Sequence, residues 1–472
     1  MSRMLILTAV MASLLAARAE EMRIELTPGS YASHIEAVAA EVPESLMLVG
    51  SADVRDLRAV AASLPEGVRL LNMQGLVIEE YTYPYNSAED RGYYPAHTIP
   101  AATFAHTRFP EILFPVTLEA IGEGAFAGSA LREAGFPTSL RSLGDYAFAG
   151  CGSLEKMLFC APLTYLGAGA FRNCTALVRA DLYPTEIKEV PDFLFAGCLS
   201  LKEALIPSVA KKIGREVFAG SGLEDVILPY GTDCAPFALA GMKELRGADV
   251  NYPAGGYGLL FGTPALERLD NAGAEAPDLM LAASGIADSK VSAGFNAIGD
   301  YAFAGLQAGK LVLSRDITRI GRGAFASMPL LRSIDVIPLG AAVPDISEEA
   351  IEGLDPSGIV LWVDSVSADA WRAHGVWSRF RIDTSGNSGV GGIVADDSGQ
   401  IEIKAAGGRI IVSAPDAIRS LAVWSTAGSL LFASAPGKHG VEVDAGQWRG
   451  CIVAVEAADA AGRRRQAKLM LD

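Results

Sequence analysis

The residues that most often carry chemistry are few and scattered in this sequence. None of the five histidines has a second ligand type at the spacing of a metal site; they are His34, His97, His106, His374 and His439. His-Glu-x-x-His, Cys-x-x-Cys and EF-hand patterns do not occur in the sequence. We interpret His97 and His106 as surface histidines, and we predict neither a metal nor a cofactor.

Several motif-like strings are better accounted for by the repeat and by the acidic composition than by catalysis. The glycine-rich strings at 122–128 and 256–262 have the wrong spacing for a dinucleotide fingerprint, and the first recurs as a repeat. Carboxylate pairs such as Glu348-Glu349 are typical of a solvated face in an acidic chain. A hydrolase would need its catalytic residues at 251–294, where the sequence has no His or Cys. The sequence therefore predicts a protein that is not an enzyme.

Three of the six cysteines, Cys151, Cys174 and Cys198, each follow a phenylalanine by three residues. If the segments stack, these cysteines form a column, and at a spacing of about 5 Å a disulfide is geometrically conceivable. Ser129 and Ser221 stand at the same position in other segments, which favours a small buried residue. We predict buried free thiols, with a disulfide as the alternative.

Composition and the first residues suggest an exported acidic protein. The 472 residues include 55 acids against 39 Lys and Arg, and this balance argues against a nucleic-acid partner. Residues 1–19 have the pattern of a signal peptide: Arg3, a thirteen-residue apolar run from Leu5 to Ala17, and a small-x-small cleavage site. We expect the protein at the cell surface, on the outer-membrane exterior, or in the extracellular space, with no membrane span.

An internal repeat dominates the middle of the chain. A six-residue string that ends in Phe occurs seven times, at 121–126, 143–148, 166–171, 190–195, 213–218, 298–303 and 320–325; its most regular form is Ile-Gly-x-x-Ala-Phe, and the copy at 190–195 departs most from it. From Phe104 the aromatic steps are 22, 22, 23, 24 and 23 residues, ending at Phe218. Phe237 and Phe261 are interpreted as degenerate members. Such a period indicates stacked coils that each bury a phenylalanine against the next coil, and the glycine of the string is expected to allow a tight turn.

A second element follows each phenylalanine, and it has the alternation of a strand. Examples are Leu131-x-x-Ala-x-Phe136, Leu154-x-x-Met-x-Phe159 and Leu223-x-x-Val-x-Leu228. Strands this short are stable only when neighbouring coils pair them into a parallel sheet. We predict an α/β repeat fold: a solenoid with one short parallel strand per coil, followed by a small all-β sandwich domain.

The repeat resembles the BspA-type leucine-rich repeat of bacterial surface and secreted proteins. That resemblance implies a solenoid with short strands, ligand binding or adhesion, and no shared enzymatic activity. It also implies a capping region at 20–95 and a repeat array with its closing cap at 96–382. The caps are needed because an open solenoid end exposes apolar edges.

The composition changes after the array. Residues 383–395 are rich in Gly and Ser and are interpreted as a linker. Seven alternating runs within 396–472 predict a small β-sandwich. This region resembles the C-terminal sorting domain of the type IX secretion system, which implies the secretion machinery as a partner and a Bacteroidetes-like source. It departs from that pattern in lacking the early Asn-Pro, and a plain accessory β-sandwich remains the alternative.

One column of outward-facing residues is a candidate ligand site. A solvated sheet face should be polar, yet the column includes an apolar stripe of Leu158, Leu205, Ile227 and Val312. The other interpretation is that a loop, the 240–295 region or the C-terminal domain covers them. We predict a non-enzymatic binding protein that engages a protein or glycan ligand through this sheet; a self-associating structural component of the cell envelope is the alternative.

Overall fold

The computed structural model describes residues 21–84, 92–159, 162–251, 254–287, 295–314, 317–337, 343–384, 401–406, 409–414, 416–425, 430–434, 438–445, 452–459 and 464–470. The predicted signal peptide and nearly all of the predicted linker lie outside these residues. The chain divides into two compact units, Met1–Thr384 and Ser385–Asp472, and each is described by itself.

The first unit begins with a parallel sheet covered by two helices. Its elements are strand β1 (Glu21–Leu26), a 3₁₀ helix (Tyr31–His34), helix α1 (Ile35–Glu41), strand β2 (Ser45–Ala52), helix α2 (Val54–Ser63), strand β3 (Leu70–Ile78) and the hairpin strands β4 (Tyr81–Thr82) and β5 (Tyr93–Tyr94). Helix α2 starts at a capping box formed by Asp53 and Asp56. The buried Asp56 carboxylate also accepts hydrogen bonds from the backbone N–H groups of Gly29 (2.7 Å) and Tyr31 (2.9 Å), which fixes the chain before α1.

The coils that follow pair through a front ladder of parallel strands. These strands are β7 (Glu111–Leu113), β9 (Glu133–Gly135), β11 (Lys156–Leu158), β13 (Arg179–Asp181), β15 (Glu203–Leu205), β17 (Asp225–Ile227), β19 (Gly247–Asp249), β21 (Arg268–Asp270), β24 (Lys310–Ser314), β26 (Ser333–Ile337), β28 (Val360–Trp362) and β29 (Arg381–Asp383). The N-terminal strands join this ladder directly, because β3 pairs with β7. Within the described residues the ladder is interrupted between β15 and β17 and between β21 and β24, so the coils as far as β15 continue the sheet of the N-terminal region.

Each coil also contributes to a second ladder, which the sequence analysis did not include. Its two-residue strands are β6 (Thr98–Ile99), β8 (Ala120–Ile121), β10 (Ser142–Leu143), β12 (Tyr165–Leu166), β14 (Glu189–Val190), β16 (Lys212–Ile213), β18 (Asp233–Cys234), β20 (Ala254–Gly255), β22 (Glu275–Ala276), β23 (Ala297–Ile298), β25 (Arg319–Ile320) and β27 (Asp345–Ile346). Where a coil carries the repeated string, its strand ends on the first residue of that string, and two residues are too few to show a strand period.

The glycine of the string has a different role from the one expected. Its backbone is not left-handed; instead, a Cβ at Gly122 would lie 2.6 Å from the Ala101 nitrogen of the preceding coil. The left-handed turns come later, at Gly124 (φ 57°) and Gly128 (φ 67°) on either side of Phe126. A turn does begin at this glycine, because the Gly122 carbonyl accepts from the Ala125 N–H at 3.3 Å, but it is close approach between coils that excludes a side chain there.

Phenylalanines form the centre of the array. Phe104, Phe126, Phe148, Phe171, Phe195 and Phe218 are buried and stacked on one another, with ring centroids 5.0–5.9 Å apart. In the next coils the same position is held by Leu239, Leu260 and Leu281, all buried. Phe237 and Phe261 are therefore not the anchors of their coils.

The array ends in a closing segment that buries two tryptophans. Two 3₁₀ helices (Glu348–Ile351 and Pro356–Gly358) precede β28, and helix α3 (Ala368–Ala373) and a further 3₁₀ helix (Trp377–Arg379) precede β29. The rings of Trp371 and Trp377 lie 5.2 Å apart, and Trp377 Nε1 donates to the Pro344 carbonyl at 3.0 Å. These large side chains cover the apolar end of the last coil.

The second unit is a small antiparallel β-sandwich. One sheet has the strands β30 (Glu402–Ala406), β31 (Arg409–Ser413) and β34 (Gly440–Asp444), and the other has β32 (Ile418–Ser425), β33 (Leu430–Ser434), β35 (Ile452–Asp459) and β36 (Arg464–Met470). Side chains of both sheets share one core, for example Ile410 and Val412 with Val423 and Val455. The seven runs of the sequence all correspond to strands.

Candidate ligand-binding face

The front ladder presents two columns of side chains to the outside. The middle residue of each three-residue strand points inward, as the buried Met157 and Val226 do, because side chains alternate along a strand. The first and third residues point outward. Coil stacking therefore aligns the first residues in one outward column and the third residues in another.

The first column is charged and pairs with itself. Lys156 Nζ lies 2.9 Å from Glu133 Oε1, and Arg179 Nη1 lies 3.0 Å from Glu203 Oε2. The residues just before the strands repeat this pattern, for example Lys202 with Glu224 at 2.9 Å. Each exposed pair contributes only about 0–1 kcal/mol to stability. The charges in these pairs are, however, already neutralised by one another.

The third column contains part of the predicted apolar stripe. The side chain of Ile227 is 70% exposed and that of Leu158 is 41% exposed, whereas Leu205 is half-buried. Leu205 and Ile227 belong to successive coils, while Asp181 stands between Leu158 and Leu205 in the column. Leu205 and Ile227 hold the same position in successive coils, but within the described residues β15 does not pair with β17; Leu158 lies two coils before Leu205.

Val312 does not belong to an exposed stripe. Its side chain is buried, 7% exposed, as are those of its neighbours Leu311 and Leu313. Strand β24 is five residues long, and its three consecutive buried residues depart from the two-residue alternation on which the prediction rested. Val312 is therefore removed from the candidate site.

Two exposed tyrosines that sequence reasoning missed extend the stripe. Tyr183 follows β13 and is 59% exposed, and Tyr230 follows β17 and is 73% exposed. They lie past the ends of the strands, so the strand period does not point to them. An aromatic residue two or three positions after a strand is the signal that could have found them. We call Leu158, Tyr183, Leu205, Ile227 and Tyr230 the apolar edge.

Acidic residues bound the apolar edge along the solenoid. Asp249 and Asp270 occupy the third column in the two coils after Ile227, and they pair in register with Ile227 and with each other. In the third column, charge therefore follows the apolar edge directly after Ile227, and the charged first column lies along one side of it. Such an apolar centre with a polar rim is the usual composition of a protein-binding surface.

The column of cysteines lies inside the coil, as the sequence predicted. Cys151, Cys174 and Cys198 are buried free thiols, and each donates to the carbonyl of a phenylalanine in the preceding coil at 3.0–3.2 Å. Burial raises the pKa of Cys198 to about 12. Because the thiolate is the reactive form, Cys198 is a poor nucleophile at neutral pH, and its role is to fill the core.

The remaining chemistry-bearing residues do not gather into a site. Within the described residues, no group of three or more His, Cys, Asp or Glu side chains is arranged to hold a metal ion. His97 and His106 both lie in left-handed turns of the first coil, at φ 54° and 59°. None of the described helices is long and apolar enough to cross a membrane.

Comparison with known proteins identifies the repeat. Residues 97–224 and 282–355 match the family model described as "BspA type Leucine rich repeat region", in six copies. No curated protein matches the chain.

Solved structures of bacterial repeat proteins are similar to part of the chain. A leucine-rich repeat protein from Bacteroides ovatus is 18% identical, with 66% of this chain and 86% of that chain covered and a TM-score of 0.43. A leucine rich cell surface protein from Faecalibacterium prausnitzii is 17% identical, covering 65% and 90%, with a TM-score of 0.34. The pneumococcal vaccine antigen PcpA is 14% identical, covering 60% and 77%, with a TM-score of 0.28. The first unit is a leucine-rich-repeat solenoid, and over the two matched stretches its repeats are similar to those of the BspA type.

Proposed function

We propose that this chain is an exported, non-enzymatic binding protein of the bacterial surface that engages a ligand through the apolar edge. The observation that carries the proposal is the exposure of Ile227 (70%) and Tyr230 (73%) on a face whose charges otherwise pair with one another. These exposed apolar groups lie beside a column of charged side chains that pair with one another. They gain free energy only when a partner removes them from water.

A protein ligand fits the apolar edge better than a glycan does. Tyrosine and leucine side chains supply a large apolar area, and tyrosine is enriched at the energetic centres of protein interfaces. The hydrophobic centre is bounded by Asp249 and Asp270, which would lie at the rim of such an interface. Adhesion to a host matrix protein is one form that this binding could take.

The test is binding of the purified chain to a panel of matrix proteins and polysaccharides, measured by surface plasmon resonance. The double variant Leu205→Asp, Ile227→Asp is expected to bind at least tenfold more weakly, since a buried hot-spot side chain is worth about 2 kcal/mol or more. The matched control is Leu199→Asp, Leu330→Asp, whose leucines are 63% and 47% exposed in turns away from the strands. The control should bind like the unchanged chain.

Equal binding by both variants would move the ligand site away from the apolar edge. Sedimentation velocity on the same samples distinguishes the alternative function. If the unchanged chain binds nothing but assembles with rising concentration, and the double variant does not, the apolar edge serves self-association in an envelope structure. Circular dichroism confirms that both variants remain folded.

We propose further that residues 396–472 direct the chain through the type IX secretion system. The support is the resemblance of this segment to the family's sorting domain and its seven-stranded β-sandwich. Deletion of 396–472 in the producing organism is expected to leave the chain inside the outer membrane. Protease digestion of intact cells measures this, because the chain becomes resistant when it is not displayed. If the truncated chain is still digested, it reaches the surface without this segment, and the β-sandwich is then an accessory domain.

A further inference from the structure

The second ladder is interrupted at two places, and both coincide with a proline. In most coils the residue after the second-ladder strand donates its N–H to the preceding coil, as Gly167 does to the Leu143 carbonyl (2.7 Å) and Gly214 to the Val190 carbonyl (2.8 Å). Beyond the first coil, the chain has Pro191 and Pro277 at this position. Proline has no N–H, and in the described part of the chain β14 does not pair with β12, nor β22 with β20.

At the first interruption the coil is also longer. Seven residues, 182–188, join β13 to β14, whereas six join the corresponding strands in the coils on either side, at 159–164 and 206–211. Within the described residues, the Leu166 carbonyl receives no backbone hydrogen bond, and the N–H groups of Lys188 and Glu189 donate none to the preceding coil. The insertion and Pro191 together open the ladder and leave backbone donors and acceptors unpaired.

A cavity of about 850 Å³ lies at this interruption. It extends from Asp145 to Ala235, across four steps between coils; at about 4.8 Å per step this is roughly 19 Å. Its volume is in the range of ligand pockets, about 300–1,000 Å³, and its length suits an extended ligand. It lies on the second ladder, apart from the apolar edge, which belongs to the front ladder.

The lining of this cavity has charges of both signs. Five carboxylates and two ammonium groups line it: Asp145, Glu186, Glu189, Asp192, Asp233, Lys188 and Lys212. Lys212 pairs with Glu189 at 2.9 Å, while Glu186 and Lys188 form no ion pair within the described part of the chain. Five carboxylates against two ammonium groups give the lining a net negative charge, which disfavours an anionic ligand, while the lysines and the Tyr165 ring add groups that a purely cationic ligand would not use. Together they offer strong acceptors and strong donors to a neutral polar ligand.

One aromatic ring completes the site. Tyr165 is 52% exposed at the cavity wall, and its hydroxyl donates to Asp145 Oδ1 at 3.2 Å. This contact fixes the ring while a large part of its face stays open. A ligand with alternating C–H faces and hydroxyls can pack on such a ring and hydrogen-bond around it.

We propose that the cavity at Pro191 is a second binding site, and that it takes a neutral oligosaccharide. Sugar hydroxyls both donate and accept, so they satisfy the carboxylates, Lys188 and the unpaired backbone groups at the same time. One sugar ring stacks on Tyr165. The role of Pro191 is to keep the ladder open, since a residue with an N–H at this position could pair with the Leu166 carbonyl.

The test is isothermal titration calorimetry of the full chain with maltohexaose, cellohexaose, mannohexaose and a hexamer of N-acetylglucosamine. At least one of them is expected to bind with an affinity that changes little with salt, because the ligand carries no charge. Tyr165→Ala should weaken that binding roughly tenfold, the loss of one stacked ring. Pro191→Gly should weaken it at least as much by closing the ladder, and Pro277→Gly, at the other interruption, should leave it within twofold.

Hydrogen exchange at position 191 reports whether Pro191→Gly has closed the ladder; if the amide there exchanges freely, Tyr165→Ala alone decides. The proposal is overturned if none of the four oligosaccharides binds. It is also overturned if Tyr165→Ala and Pro191→Gly, with the ladder closed in the latter, both bind an oligosaccharide as the unchanged chain does. If a Lys-Gly dodecapeptide binds instead of the oligosaccharides, with an affinity that falls steeply with salt, the cavity is a site for basic peptides.

Discussion

Replacing Phe148 with alanine is expected to lower the free energy of unfolding of the solenoid by about 3–5 kcal/mol. The ring is fully buried and lies between Phe126 at 5.0 Å and Phe171 at 5.6 Å, with Phe136 edge-on at 5.6 Å. Its removal leaves a cavity lined by three aromatic rings, which backbone hydrogen bonds on both neighbouring coils keep from collapsing. Urea denaturation followed by circular dichroism measures the loss as a lower midpoint.

Phe261→Ala is the matched control, and it is expected to cost less than about 1 kcal/mol because the ring is 39% exposed. Leu260→Ala, in the same coil, removes the buried anchor and should cost about 2–5 kcal/mol. If Phe261→Ala destabilised the chain as much as Leu260→Ala, the assignment of Leu260 as the anchor of this coil would be wrong.

The repeated phenylalanines made most of the coils predictable, because an aromatic residue that recurs at a fixed step indicates a ring buried at the same place in each coil. Where leucine replaces phenylalanine the pattern misleads: Phe237 and Phe261 stand near the expected position, but Leu239 and Leu260 are buried. Leucine is too common to mark a repeat by itself. The string Ala-Leu-Ala-Gly at 238–241 does match Ala-Phe-Ala-Gly at 147–150, and it could have been recognised.

The candidate face was predictable only as far as the strand period holds. That period places Leu158 and Ile227 outward, and both are exposed, whereas Val312 lies in a strand that does not follow it. The cavity at Pro191 is harder to predict from the sequence than the candidate face is. It depends on one inserted residue and one missing N–H, and a proline at a strand end reads in sequence as ordinary termination.

Gly167→Ala is expected to destabilise the solenoid by about 3 kcal/mol, although it adds a single methyl group. A Cβ there would lie 2.3 Å from the Asp145 nitrogen and 2.4 Å from the Gly144 carbonyl carbon. These are backbone atoms of the preceding coil, in which the Gly144 N–H and the Asp145 carbonyl are hydrogen-bonded, so neither coil can yield without disturbing the second ladder. A lower urea midpoint, with faster amide exchange at 142–143 and 165–166, would measure the effect.

Gly135→Ala is the control in the same array, and its expected effect has the opposite sign. A Cβ at Gly135 meets nothing within 4 Å, and its backbone is not left-handed. Alanine there restricts the unfolded chain without straining the folded one, and should raise stability by up to about 1 kcal/mol. If the two substitutions changed the stability equally, the glycine at position 167 would act through the flexibility of the unfolded chain. Opposite effects would mean that the distance between coils selects glycine at position 167.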